Sequence, residues 1–140
     1  MVTEDREMLA KELSSRLPYG VMVSIEQYDG TTIQRKLIAV CYKGLESSLY
    51  VDGIEGFLVE EIANVKPYLR PLSAMTQEES EEYEDLKMDI RDKLRDWKCY
   101  KLIQWCNAHY IDYNDLIGQG VALVAPKGMY EIPKRRELPY

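Results

Sequence analysis

The stretch FLVEEIANVKPYLRPLSAM, residues 57–75, decides the fold. Phe57-Leu58-Val59 is an apolar run of strand length. Glu60 to Asn64 offers one turn of helix, with Ile62 as its only large apolar group, and Val65 resumes extended character. Lys66 and Arg70 each precede a proline, whose ring pushes the preceding residue out of the α region. Pro67 and Pro71 also lack an N–H, so the segment reads as a final edge strand that leaves a small sheet and hands the chain to a helix. A rigid linker is the competing reading.

Working back from this junction, the sequence is punctuated like a sheet. Val21, Val23 and Ile25 alternate with Met22, Ser24 and Glu26, as in a half-buried strand. Asp29-Gly30 supplies the positive φ angles of a tight hairpin turn. Thr32 to Tyr42 follows as a long strand, apolar on both faces from Leu37 to Tyr42 and therefore expected at the sheet centre. Turns at Lys43-Gly44 and Asp52-Gly53 bracket a third strand, Ser47 to Val51. Ahead of the strands, Thr3 to Leu17 reads as a helix capped by Thr3 and stopped by Pro18-Tyr19-Gly20.

Working forward, Thr76 with Glu79 forms a capping box. Tyr83, Leu86, Ile90, Leu94 and Trp97 then make an apolar stripe at helical spacing. Acids crowd the first half of this helix and bases its second half, the order the helix dipole favours. That placement explains the acidic run 78–85 without a metal. Trp97 to His109 continues the helix or starts another after a bend near Asp96, and is expected to be the most buried helix. Asp112 caps a short turn, Val121 to Val124 is a last short strand, and the tail is irregular, with Lys134-Arg135-Arg136 together.

The order gives an α+β fold: an N-terminal helix, a small antiparallel sheet or SH3/Sm-like barrel, and a helical C-terminal half. The expected division is helix plus sheet or barrel over 1–72, a helical region packed on it over 73–126, and an irregular tail over 127–140. The 140 residues are enough for one core without metal or disulfide support. No apolar run approaches the ~20 residues that span a bilayer. The charged N-terminal segment has no apolar core of a secretory signal. The three cysteines, Cys41, Cys99 and Cys106, read as reduced thiols in a cytoplasm, with Cys99 and Cys106 as small buried hydrophobes. A net charge of −6 repels phosphate and argues against non-specific nucleic-acid binding. Eleven tyrosines against one phenylalanine point to half-buried surfaces and binding faces.

Catalytic chemistry has few places to reside. The single histidine, His109, has Cys106 three residues before it and Asp112 three after. A histidine at a helix C-terminus needs no catalytic role, so no catalytic residue is assigned. No CxxC, HExxH or EF-hand loop is present, and no metal or cofactor is expected. Gly118-Gln119-Gly120 precedes a strand, unlike a phosphate loop. Binding is easier to argue. Lys66, Tyr68 and Arg70 share one side of the extended junction at period two, and tyrosine and arginine anchor interfaces. The structural alternative packs Tyr68 on the Trp97–Trp105 helix and pairs Arg70 with the acidic helix.

Two segments, VKPYLRPLSAMTQEE (65–79) and WCNAHYIDYNDLIGQGVALVAPKGMY (105–130), resemble a family of small uncharacterised proteins encoded by phages and prophages of gut Bacteroides-type bacteria. The resemblance implies a mobile-element origin and action inside a bacterial cell, and carries no activity with it. The function expected is therefore a non-enzymatic binding protein acting on a host or phage macromolecule, most readily a protein. A small-ligand binder for nucleotide signals in evasion of antiphage defence is the alternative, followed by a nucleic-acid-binding small barrel.

Overall fold

The computed structural model describes residues 3–43, 46–52, 57–59, 64–93 and 96–133. Helix α1 (Thr3–Arg16) leads through a 3-10 turn (Leu17–Tyr19) into strands β1 (Met22–Glu26), β2 (Thr32–Lys43), β3 (Glu46–Val51), β4 (Phe57–Val59) and β5 (Val65–Leu69). Helices α2 (Gln77–Lys93) and α3 (Asp96–Ala108) follow, and the two-residue strand β6 (Leu123–Val124) is last. This is the α+β class, with an N-terminal helix, a mostly antiparallel sheet and later helices. Gly20 closes the 3-10 turn at φ 75°, a left-handed conformation, and a Cβ there would stand 2.9 Å from the Lys36 side chain.

The sheet order is β4-β3-β2-β1-β5-β6, and the sheet is open rather than closed into a barrel. β2 lies in its interior, paired to β1 and β3. The expected edge strand, β5, is instead an interior one. It runs antiparallel to β1 and also pairs in parallel with β6, at Tyr68 and Leu69. β6 meets β5 only past Pro67, so the proline does not interrupt that pairing. The parallel partner comes from more than fifty residues downstream, a distance over which local turn signals carry no information. The helical turn expected at 60–64 and the turns at Gly44 and Gly53 fall largely or wholly outside the described residues.

One face of the sheet is the core. Val21, Val23 and Ile25 of the β1 segment, Leu37 of β2, and Leu49 and Val51 of β3 are buried against Leu9 and Leu13 of α1. The alternation seen in the sequence is therefore real, and α1 covers this face. Each fully buried leucine or valine contributes about 1.5–3 kcal/mol relative to exposure. A second, smaller cluster holds Trp105, Cys106 and Ile111, with Met75, Tyr83, Leu86, Leu102 and Tyr113 packed around it. It is where α2 and α3 meet the end of β5.

Among the described side chains of α3, the buried ones lie in its last part. Trp105 to Ala108 are enclosed, while Cys99, Tyr100 and Ile103 are exposed. The expectation of a buried Cys99 is thus corrected. The reason is stoichiometric: α2 is the neighbour α3 chiefly packs against, so the apolar run from Cys99 to Cys106 exceeds the surface available to cover it. The side chains of Ile90, Leu94 and Trp97, from the expected stripe, lie outside the described residues.

Candidate functional site

The junction singled out in the sequence is also where most buried polar chemistry gathers. Arg70 leaves β5 in extended form before Pro71. Its N–H donates to the Tyr110 carbonyl at 2.7 Å, and its own carbonyl accepts from the Asp112 N–H at 2.9 Å. Its guanidinium forms a bidentate pair with Glu79, 2.7 Å in each arm, and also donates to the His109 and Ala74 carbonyls. Glu79 is the N3 residue of the capping box: its carboxylate accepts from the Thr76 N–H, and its own N–H donates to the Thr76 hydroxyl. His109 Nδ1 completes the carboxylate's shell at 2.7 Å.

Burial pushes the Glu79 carboxyl up. The hydrogen bonds from Arg70, His109 and the Thr76 N–H, with the Arg70 charge, more than reverse this and hold it far below the usual carboxylate range. His109 is fully buried, with its ring stacked on Trp105 at 3.9 Å between centroids. The indole N–H donates to Glu82 at 3.1 Å. Two acids of the acidic helix are thus consumed inside the fold, one by Arg70 and His109 and one by Trp105.

A second network joins α1 to the loop after α3. Arg16, also buried, pairs with Glu12 one turn earlier, donates to the Ile111 carbonyl at 3.1 Å, and lies over the Tyr113 ring. Asn114 donates to the other Glu12 oxygen. Asp112 accepts from the Leu116 and Ile117 N–H groups, the turn-capping role read from the sequence. A third contact is the Tyr130 hydroxyl, which accepts from the Met22 N–H and donates to the Tyr68 carbonyl, both at 2.8 Å. It bridges β1 and β5 where their pairing stops. Tyr110 stacks on Tyr130 at 3.7 Å and donates to the Tyr19 carbonyl.

These arrangements engage elsewhere two members of the set Cys106, His109 and Asp112 read from the sequence. His109 is oriented by Glu79 rather than Asp112, and Asp112 is spent on the turn. Burial pushes the Cys106 thiol up to about 12, the Arg16 charge opposing it only in part. Among the described residues no group of three or more His, Cys, Asp or Glu side chains could hold a metal ion.

The three sequence-predicted binding residues separate. Lys66 is exposed, whereas Tyr68 is 8% and Arg70 9% exposed. Tyr68 receives a hydrogen bond from Gln34 Nε2 at 3.2 Å, and Arg70 is taken up by Glu79. The partial exposure expected of a shared binding face holds for Lys66 alone. Arg70 takes the structural alternative, because a guanidinium at the end of an interior strand is cheaper to pair than to leave without a carboxylate.

The sheet face opposite α1 presents other residues. A bulge between Leu37 and Ala39 places Ile38 and Ala39 together between core-facing Leu37 and Val40. Tyr50, opposite Ala39, stands beside them. Ile38 is 51% and Tyr50 40% exposed. Exposed Gln34, Lys36 and Lys66 continue this face across β2, β1 and β5, where Lys36 is opposite Met22, and Gln34 and Lys66 flank Ser24. No ion pair is formed by Lys36 or Lys66 among the described residues. Sequence reading missed Ile38 because a bulge leaves no mark in an apolar strand. Comparison with family models, with curated proteins and with solved structures finds no match to the chain.

Proposed function

We propose that this chain is a non-enzymatic binding protein that engages a protein partner through the outer face of its sheet. The carrying observation is the exposure of Ile38 and Tyr50 on the face that α1 leaves uncovered. Exposed apolar groups side by side, rimmed by polar and charged ones, suit a docking surface. Lys36 and Lys66 at the rim favour a partner with acidic groups there. The sealed position of His109 and the raised thiol of Cys106 support a role without catalysis.

The setting we propose is the cytoplasm of a bacterium, with a host or phage protein as the partner. That part rests on the resemblance to phage proteins alone. Among the described residues no helix is long and apolar enough to cross a membrane. Tyr68 and Arg70, which could meet a small ligand as well as a protein, have their side chains engaged within the fold. Nucleotide mass spectrometry of the purified protein and salt-dependent gel shifts test that alternative and the nucleic-acid one.

The test is affinity capture from a bacterial lysate with wild type and with the Ile38→Asp, Tyr50→Ala double variant. A captured protein that is lost in the variant, at an unchanged melting temperature, supports the reading. Equal capture by both forms overturns the assignment of this face.

A further inference from the structure

The β1–β2 hairpin carries a feature that folding does not use. At its tip Tyr28 is fully exposed, the most exposed large apolar side chain among the described residues. Its ring contributes nothing to either core. The turn that presents it is held from below. Gln27 N–H donates to the Thr31 carbonyl at 2.8 Å, and Gly30 N–H to the Gln27 carbonyl at 3.0 Å. Asp29 Oδ1 accepts from the Thr31 N–H at 3.0 Å, and the Thr31 hydroxyl lies 2.6 Å from the same oxygen. Gly30 adopts φ 84° with open space around it. The Thr31 hydrogen bonds hold the Asp29 carboxyl below its usual range, so the residue next to Tyr28 in the turn carries a negative charge.

A tyrosine has two side-chain torsions and a large amphipathic surface, so little freedom is lost when it docks. A turn already fixed in place lowers the ordering cost further. We propose that Tyr28 is an anchor that inserts into an apolar pocket of a protein partner, with a basic group at the pocket rim to meet Asp29. The proposal rests on the reading of the chain as a protein-binding protein, and adds a second point of contact to it. Ile38 lies six residues along β2 from Thr32, roughly 20 Å at ~3.3 Å per residue. A standard interface of about 800 Å² per partner can include both.

The test places a photo-crosslinking benzoylphenylalanine at Thr32, beside the tip, or at Cys41, in the central part of the sheet, in chains expressed in Bacteroides-type cells. The expected result is a discrete polypeptide adduct from Thr32 that falls tenfold or more with Tyr28→Ala. Tyr28→Phe keeps most of it, Asp29→Asn, which keeps the turn's acceptor oxygen and removes its charge, weakens it, and the melting temperature of each variant matches wild type. An adduct from Cys41 with none from Thr32 overturns the anchor and leaves the binding reading standing. So does a Thr32 adduct indifferent to Tyr28→Ala. Adducts from neither site overturn both, and a nuclease-sensitive adduct overturns the protein partner.

Discussion

Arg70 shows how the chemistry of an interface anchor can be engaged inside the fold. It has the residue type of an interface anchor, and its guanidinium is bound instead by Glu79, His109 and Ala74. Arg70→Ala should therefore cost about 3–5 kcal/mol, because it leaves the buried Glu79 carboxylate without its cation. A urea melt measures this. An unchanged melting temperature would return Arg70 to the surface. Glu79 also sets a pH dependence. Its folded pKa lies below the ordinary 4.5, so its contribution is full above that value and is lost as pH falls toward the folded pKa. The stability gap between wild type and Glu79→Gln should narrow as pH is lowered from about 5 to 3 in the same melts. Among the thiols, Cys41 and Cys99 are exposed and Cys106 is buried. Native labelling should modify the first two quickly and Cys106 only on unfolding. The sequence could supply residue types at this scale but not partners: nothing at Arg70 announces a histidine 39 positions away.

At the scale of elements, helix α2 was legible and helix α3 only partly. The Thr76–Glu79 capping box is present in both directions, and the acidic first turn follows the dipole. Leu86 packs at the second cluster while only partly buried. Leu86→Ala should then cost near the lower end of the 2–5 kcal/mol seen for leucine truncation, measured by thermal or urea unfolding. Trp105, fully buried in the same cluster, should cost more as Trp105→Ala, about 3–5 kcal/mol. A smaller loss for Trp105 than for Leu86 would show that α3 is not the helix that seals the cluster. The burial of α3 could not be read because its sequence is apolar on more sides than its neighbours cover. Strand β5 failed as an edge for a related reason. Proline reports what a strand cannot donate, and says nothing of a partner that pairs beyond it.

For the whole molecule, the class and the order of elements follow from alternation, turn residues and the helical stripe, all of them local. What joins the halves is not local. Arg16 reaches Ile111, Glu12 reaches Asn114, and Met22 reaches Tyr130, across 95, 102 and 108 positions. Tyr130→Phe should destabilise the protein by about 1–3 kcal/mol, since it strands the Met22 N–H and the Tyr68 carbonyl. The outer-face variants should leave stability untouched, and comparing the two by calorimetry separates stitching from docking. The stitching has a temporal consequence as well. A chain leaving the ribosome exposes α1 and β1 about a hundred residues before their partners at Ile111, Asn114 and Tyr130. The contacts that join the halves must therefore wait until residue 130 has emerged, and a nascent chain stalled before residue 109 should be more protease-sensitive than the folded protein.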